Sequence, residues 1–284
     1  MLRFLHTSDI HLLRLDGVMP WRYVGKRLTG RLNLALHRGK KHDQALFDRM
    51  VEASGELGLD RFVVTGDLTN LALETEFELC VEKFEAIPVP VTVIPGNHDT
   101  YTRGSERTQR FERYMRPYME GDRESGDYPF VQRFDDVALI GVSSAVATPP
   151  FDATGQCGAK QLGRLRGVLH ALGAEGLARV VLVHHPPVDG LSKPKHDLID
   201  RAAFAEVIAA AGAELILHGH EHVRTDTALP GPGGEVPVHG IASGTSKLQK
   251  PGRAAAFSVY DVSASGFTRE LYEWNGQRYA LLDA

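Results

Sequence analysis

An α/β fold built on two packed sheets is what this sequence predicts, and three observations carry the prediction. Short apolar runs alternate with longer segments of helical period. The C-terminal region then changes to consecutive strand-like runs separated by Gly and Pro. No apolar run approaches the roughly 20 residues a membrane helix needs.

Residues 2–6, 61–65, 89–94, 138–142, 179–184 and 214–218 are rich in Val, Ile, Leu and Phe and read as buried strands. Between them, 43–57, 74–85, 105–119, 159–172 and 201–211 space their apolar residues by three and four, as Leu46, Met50 and Ala53 do, and read as helices. The runs 236–242, 255–262 and 267–272 follow as three further strands, expected to form a second sheet packed on the first. Gly231-Pro232-Gly233-Gly234 is a turn, too short for a linker, and there are no internal repeats. One domain over residues 1–284 is therefore expected, carrying an insert at about 14–42.

The composition narrows the class. Hydrophobic content of 43% and charged content of 24% exclude a disordered or collagen-like chain. Cys80 and Cys157 are far apart, in no metal-type spacing, and are expected as buried thiols. A formal net charge of −4 gives no global attraction to nucleic acid. The opening Met-Leu-Arg-Phe-Leu-His lacks the apolar stretch of a secretion signal, so a cytoplasmic protein is expected.

The chemistry sits just past the strands. Asp9 and His11 follow the first, Asp67 the second, and Asn97, His98 and Asp99 the third. His184 ends the fifth, and His220 and His222 follow the sixth. In α/β sheets the ligand crevice lies at the carboxyl ends of the strands. Five segments thus aim carboxylate, imidazole and amide oxygen at one edge, a donor mixture suited to Mn, Fe or Zn. Any one of these motifs alone is an ordinary turn or a weak metal signal; their order and shared position carry the inference.

The set Asp9-x-His11, Gly66-Asp67, Gly96-Asn97-His98-Asp99, His184 and Gly219-His220-x-His222 resembles the calcineurin-like metallophosphoesterase superfamily. The resemblance implies a four-layer α-β-β-α sandwich of two mixed sheets flanked by helices. It implies two divalent ions, one held by Asp9, His11 and His222, the other by Asn97, His184 and His220, with Asp67 bridging. It also implies that His98 contacts substrate. Such a pair can hold a hydroxide and clamp phosphate oxygens for in-line attack. His98 then stabilises charge or acts as general acid, while Asp99, His185 and His218 are expected to orient the ligands. A non-catalytic relative would lack ligand positions, and none is missing.

Around Asp67, Thr-Gly-Asp-Leu-Thr-Asn followed by residues 74–77 resembles bacterial phosphodiesterases of the cyclic-nucleotide type. A phosphodiester substrate is accordingly expected. The opening His-Thr-Ser-Asp-Ile-His-Leu also resembles the nuclease branch that processes DNA ends, but that branch usually has a further capping domain, and this chain is acidic. The third alternative comes from residues 14–42. Arg14, Arg22, Lys26, Arg27, Arg31, Arg38, Lys40 and Lys41 stand there against one acid, Asp16, with Trp21, Tyr23, Val24, Leu28, Leu32, Leu34 and Leu36 interleaved. Such a segment suits an anionic membrane at the inner face or an acylated substrate, as in relatives that cleave the pyrophosphate of UDP-diacylglucosamine. Packing on the domain, a dimer contact and nucleotide contact remain open for it, and Gly25 and Gly30 weaken any continuous helix there.

Overall fold

Successive residues of the central strands of the second sheet face two different cores, which shows how the layers are built. In the computed structural model, which describes residues 1–36 and 41–282, the strands form two six-stranded sheets. The first contains β1 (Leu2–Thr7), β2 (Arg61–Val64), β3 (Val91–Val93), β10 (Ala256–Ser263), β11 (Gly266–Trp274) and β12 (Tyr279–Leu281), in the order β12-β11-β10-β1-β2-β3. The second contains β4 (Phe130–Phe134), β5 (Val137–Gly141), β6 (Ala178–Leu182), β7 (Leu215–His218), β8 (Thr225–Gly231) and β9 (Gly234–Gly240), in the order β4-β5-β6-β7-β9-β8. Leu139, Val180, Leu182, Leu215 and Leu217 of the second sheet share one core with Phe4, Phe62, Val64 and Phe257 of the first. Their chain neighbours Ile140, Val181 and Ile216 face the other way, the period of two expected of a strand.

Helices cover both outer faces, giving the four-layer α-β-β-α sandwich. On the second sheet, Leu165 and Leu169 of α6 (Ala159–Ala174) and Phe204 and Ile208 of α7 (Arg201–Ala211) close over Ile140, Val181 and Ile216. On the first, α2 (Gln44–Ser54) brings Phe47 and Met50, α3 (Glu74–Glu85) brings Phe77 and Phe84, and α5 (Arg110–Met115) brings Phe111 and Met115. Each such fully buried side chain contributes about 1.5–3 kcal/mol. Cys80 and Cys157 are buried free thiols. No helix among the described residues is long and apolar enough to cross a membrane.

The structure corrects several expectations. The C-terminal strands do not form the second sheet: β10 pairs antiparallel with β1, whereas β9 pairs parallel with β7. The six earlier strands likewise divide, three to each sheet. Apolar periodicity records that a strand is buried, not which strand it pairs with. The helix expected over 105–119 is broken into α4 (Arg103–Arg107), α5 and a 3-10 turn at Arg116–Met119. Gln109, at φ 45°, interrupts it, and Pro117 cannot donate a helical hydrogen bond. Strands β4, β8 and β12 have no counterpart in the sequence reading; β8 buries only Leu229, and β12 is three residues long.

The insert also differs. A helix, α1 (Lys26–Leu36), forms despite its glycines. Gly25, at φ 65°, lies just before it, and Gly30 is where the helix packs closest: a Cβ there would lie 2.5 Å from Tyr101 Oη and 2.6 Å from Leu71 Cδ2. Arg14 pairs with Glu82 and Arg22 with Glu74, while the buried Arg27 donates to the Leu71 and Ala72 carbonyls. These three cations belong to the fold rather than to a free basic surface. Arg38 and Lys40 lie outside the described residues.

Alanine in place of an exposed helical glycine normally stabilises by roughly 0.5–1 kcal/mol. Gly30→Ala is expected to do the reverse and lower the melting temperature, because its methyl overlaps Tyr101 and Leu71. Thermal denaturation followed by circular dichroism checks this; a melting temperature at or above wild type would show that α1 does not depend on that close approach.

Candidate metal centre

The loops that leave β1, β2, β3, β6 and β7 meet where the carboxyl ends of the two sheets come together. Their backbone is unusual. Among the described residues, eight non-glycine residues have positive φ, and five of them are Asp9, His11, Asp67, His220 and His222. A left-handed conformation at an ordinary side chain costs of order 1–3 kcal/mol and persists only where the surroundings hold it. Two glycines show how tightly they do. A Cβ on Gly96 would overlap the Asp67 carboxylate, and one on Gly219 would overlap Ser8 Oγ and Asp9 Oδ2.

Two groups of side chains result, with Asp67 between them. In the first, His222 Nε2 lies 3.1 Å from Asp9 Oδ1 and 3.2 Å from His11 Nε2, and His11 Nε2 is 3.8 Å from Asp67 Oδ2. In the second, His184 Nε2 lies 3.4 Å from Asp67 Oδ1 and 3.3 Å from Asn97 Oδ1, with the His220 ring 5.2 Å from that of His184. Two ligands at right angles on one ion, each about 2.1 Å away, would be about 3 Å apart. The ring hydrogen bonds agree: His11 Nδ1 donates to the Thr69 carbonyl and His184 Nδ1 to the Thr65 carbonyl, leaving Nε2 as the inward-facing nitrogen of each. His220 is reversed, donating from Nε2 to the His196 carbonyl and leaving Nδ1 as its lone-pair nitrogen.

A cation suits this arrangement for a separate reason. Asp9 is fully buried; its Oδ2 accepts from the His220 amide, but Oδ1 receives no hydrogen bond. A desolvated carboxylate oxygen without a donor costs several kcal/mol, and an ion shared with His11 and His222 would offset that. Burial by itself raises the carboxyls of Asp9 and Asp67, but neighbouring histidines, His222 for Asp9 and His184 for Asp67, outweigh it and hold both below their ordinary values. His184 moves the other way: burial disfavours its charge, yet Asp67 prevails and raises it to about 9.

Asp99 ties two of the loops together. Its carboxylate accepts from the amides of Gly96 and Leu68 at Oδ2 and from the amide and hydroxyl of Thr69 at Oδ1. Burial and the nearby Asp67 raise it to about 7. His98 donates its amide to Asp67 Oδ1 and its Nδ1–H to the Asn70 carbonyl at 2.6 Å, and its ring stacks on Tyr101. His185 accepts from Ser144 at Nδ1, donates to the Ala153 carbonyl and packs on His220 with ring centres 4.3 Å apart. His218 contacts the Gly219 carbonyl and Thr225 rather than the centre. Burial is the main influence in both, lowering His185 to about 3 and His218 to about 4, so both rings are neutral.

A cleft of about 540 Å³ opens over these groups, lined by His98, Asn97, His220 and His222 and reached by Lys26, Lys41 and Arg253. Clefts of about 610 and 870 Å³ elsewhere contain no histidine, so size alone does not locate the chemistry. The structure adds residues that the sequence reading passed over. His42, inside the insert, stands edge-on to His11 and His222. Glu221 and His196 lie beside His220, with Glu221 Oε1 buried and without a hydrogen-bond donor. Glu221 was within reach of the sequence, as the middle residue of Gly-His-Glu-His; His196 and His42 follow no strand and carried no local signal.

The sequence model of the calcineurin-like phosphoesterases matches residues 2–224. No curated protein sequence matches the chain significantly. Among solved structures, a dimetal phosphatase from Danio rerio is similar with a TM-score of 0.63 and 13% identity, covering 94% of this chain and 98% of its own. A purple acid phosphatase, PPD1, from yellow lupin (Lupinus luteus) seeds has a TM-score of 0.62 and 11% identity over 99% of this chain and 52% of its own. These likenesses are of fold.

Gly219→Ala tests the close packing around Asp9. A misplacement of about 1 Å at such a site can cost on the order of 10²-fold, and a loss of that size in kcat/KM is expected, with weaker metal retention on gel filtration. Wild-type activity and metal content would show that Asp9 tolerates displacement and is not a constrained ligand.

Proposed function

We propose that this chain, which belongs to the calcineurin-like phosphoesterase family, hydrolyses a phosphodiester at a pair of divalent metal ions. Metal-dependent hydrolysis of a phosphate ester comes with the family; the ester and the residue roles are the finer reading. One observation carries the two-ion part of it. The two oxygens of Asp67 face different groups, Oδ2 toward His11 and Oδ1 toward His184, as a carboxylate shared between two ions requires. Asp9, His11 and His222 would hold one ion, and Asn97, His184 and His220 the other. When bound, the pair supplies Lewis acidity toward the phosphate oxygens and a water of lowered pKa.

The chain's own groups supply the rest. His98 is held by the Asn70 carbonyl and by Tyr101. With Nδ1–H committed there, donating from Nε2 to a leaving oxygen requires the imidazolium, whose charge also suits the developing alkoxide. Asn70 is positioned in turn: Glu76 accepts from the amides of Asn70, Leu71 and Leu73, and the Asn70 side chain donates to the His11 carbonyl. This is the segment whose sequence resembles the phosphodiesterases. Lys26, over the Tyr101 ring, adds positive charge near His98; burial lowers it to about 8, which leaves it largely protonated at neutral pH.

A second reading has its own support. Trp21, Val24, Leu28 and Leu32 of the insert are exposed, and Phe151 and Leu248 are exposed apolar residues on the wall of the cleft. Leu28 and Leu32 are four apart and share one face of α1. An acylated phosphoanhydride substrate, or an anionic membrane that presents it, would cover such a surface.

Three measurements decide. With Mn²⁺, Fe²⁺ or Zn²⁺, elemental analysis is expected to give two ions per chain, and Asp67→Ala to weaken both; at most one ion at saturation would sink the dinuclear reading. His98→Ala should keep the ions and lose on the order of 10²–10⁴ in kcat, less for bis-p-nitrophenyl phosphate than for esters with poor leaving groups; an equal loss would mean that His98 only positions the phosphate. For the second reading, wild type should co-sediment with anionic vesicles more than with neutral ones, and Leu28→Ser with Leu32→Ser should reduce this. No sedimentation at low salt, together with no preference for acylated substrates, removes it.

A further inference from the structure

Resting on the two-metal reading above, we infer that His42 is a further ligand of the ion assigned to Asp9, His11 and His222. A ring nitrogen of His42 lies within 4.8 Å of ring nitrogens of both His11 and His222. Its ring centre is 4.7 Å from that of His11 and 5.3 Å from that of His222. Two ligands on opposite sides of one ion, with bonds of about 2.1 Å, are about 4.2 Å apart, a separation that these nitrogens approach.

Proton accounting around the ring identifies the nitrogen. His42 Nδ1 lies 3.0 Å from Thr245 Oγ1 and 3.2 Å from Ser243 Oγ. Each hydroxyl has one proton, and each places it on a main-chain carbonyl: Ser243 on Asp9 at 2.7 Å and Thr245 on Ile10 at 3.0 Å. Toward His42 both can therefore only accept, so Nδ1 carries the hydrogen and Nε2 the lone pair. His11 and His184 show the same pattern, an Nδ1–H spent on an oxygen and an Nε2 turned to the centre. The two accepting hydroxyls are bonded to residues 9 and 10, so they tie His42 to the loop that carries Asp9 and His11.

The backbone also holds His42 in place. It bridges to Ser246, and the amide of Asp43 donates to the Thr245 carbonyl at 2.9 Å. Asp43 caps α2 by accepting from the Ala45 amide. The ring thus projects from the start of a packed helix across the mouth of the first ligand group. A third imidazole there gives that ion three nitrogens, the Asp9 carboxylate and a share of Asp67. This donor set favours a transition metal over Mg²⁺, whereas the other ion has two nitrogens and an amide oxygen. The two sites would differ in affinity.

Cobalt binding tests this without turnover. Co²⁺ is titrated into metal-free wild type, His42→Ala, His222→Ala and His184→Ala, with calorimetry for affinity and visible absorption for coordination. His42→Ala is expected to weaken the same ion that His222→Ala removes by at least about 10-fold, the lower end of the loss seen even for groups outside the ligand set. The band of that ion should intensify as its coordination number falls, and the band lost in His184→Ala should stay. Thr245→Val, which keeps the ring but removes an acceptor, should give a smaller change at the same ion. Circular dichroism of the metal-free variants separates misfolding from ligand loss. Two Co²⁺ bound by folded His42→Ala with wild-type affinities and spectrum would overturn the inference, even if kcat fell, since His42 would then act on substrate. Wild type binding one ion that His42→Ala weakens would overturn the two-metal reading and support His42; wild type binding none would overturn both.

Discussion

A carboxylate removed from water must regain several kcal/mol from donors or positive charge, and this chain buries Asp9, Asp67 and Asp99 in one cluster of loops. Each is compensated differently. Asp99 takes three main-chain amides and a hydroxyl. Asp67 takes one amide and the histidines on either side. Asp9 spends one oxygen on an amide and leaves the other without a hydrogen bond. That graded pattern runs from a purely structural acid to one whose charge calls for an ion.

Meeting these demands shapes the backbone. The amides that reach Asp99 come from the loops after β2 and β3, so one side chain holds the two turns together. The left-handed residues are places where a loop reverses direction to bring its side chain inward, and the glycines beside them remove the Cβ atoms that would collide with a carboxylate. The imidazoles are fixed by the same economy. His11, His184 and His220 each donate one ring N–H to a main-chain carbonyl contributed by another segment. The loops past the strands therefore set which nitrogen faces the centre.

Much of this was legible in the sequence because the signals were local. Short Val/Ile/Leu runs mark strands, helical spacing marks α3 and α7, whose ends the structure reproduces at Glu74–Glu85 and Arg201–Ala211, and a ligand-type residue just past a strand stands at the sheet's edge. What failed was non-local. The C-terminal strands were read as one sheet, but β9 and β10 join different sheets, because pairing depends on where the chain crosses between layers. Propensity counts Gly30 against the helix α1, but a glycine that costs about 1 kcal/mol in isolation permits the close approach to Tyr101 and Leu71. The basic residues of the insert do not form one surface: Arg14 and Arg22 pair with Glu82 and Glu74, and Arg27 is buried against main-chain carbonyls.

By itself the sequence determined the family pattern, the residue types at the centre and their order along the chain, since each lies within a few residues of the strand or glycine that places it. Only the tertiary structure decided which nitrogen each imidazole presents, and that His42, Glu221 and His196 lie beside them. His42 is brought to His11 and His222 by hydroxyls some 200 residues away, Ser243 and Thr245, one of which is bonded to the Asp9 carbonyl and the other to the Ile10 carbonyl. A side chain recruited across that separation leaves no periodicity or motif in the sequence around it, because the atoms that orient it belong to another part of the chain.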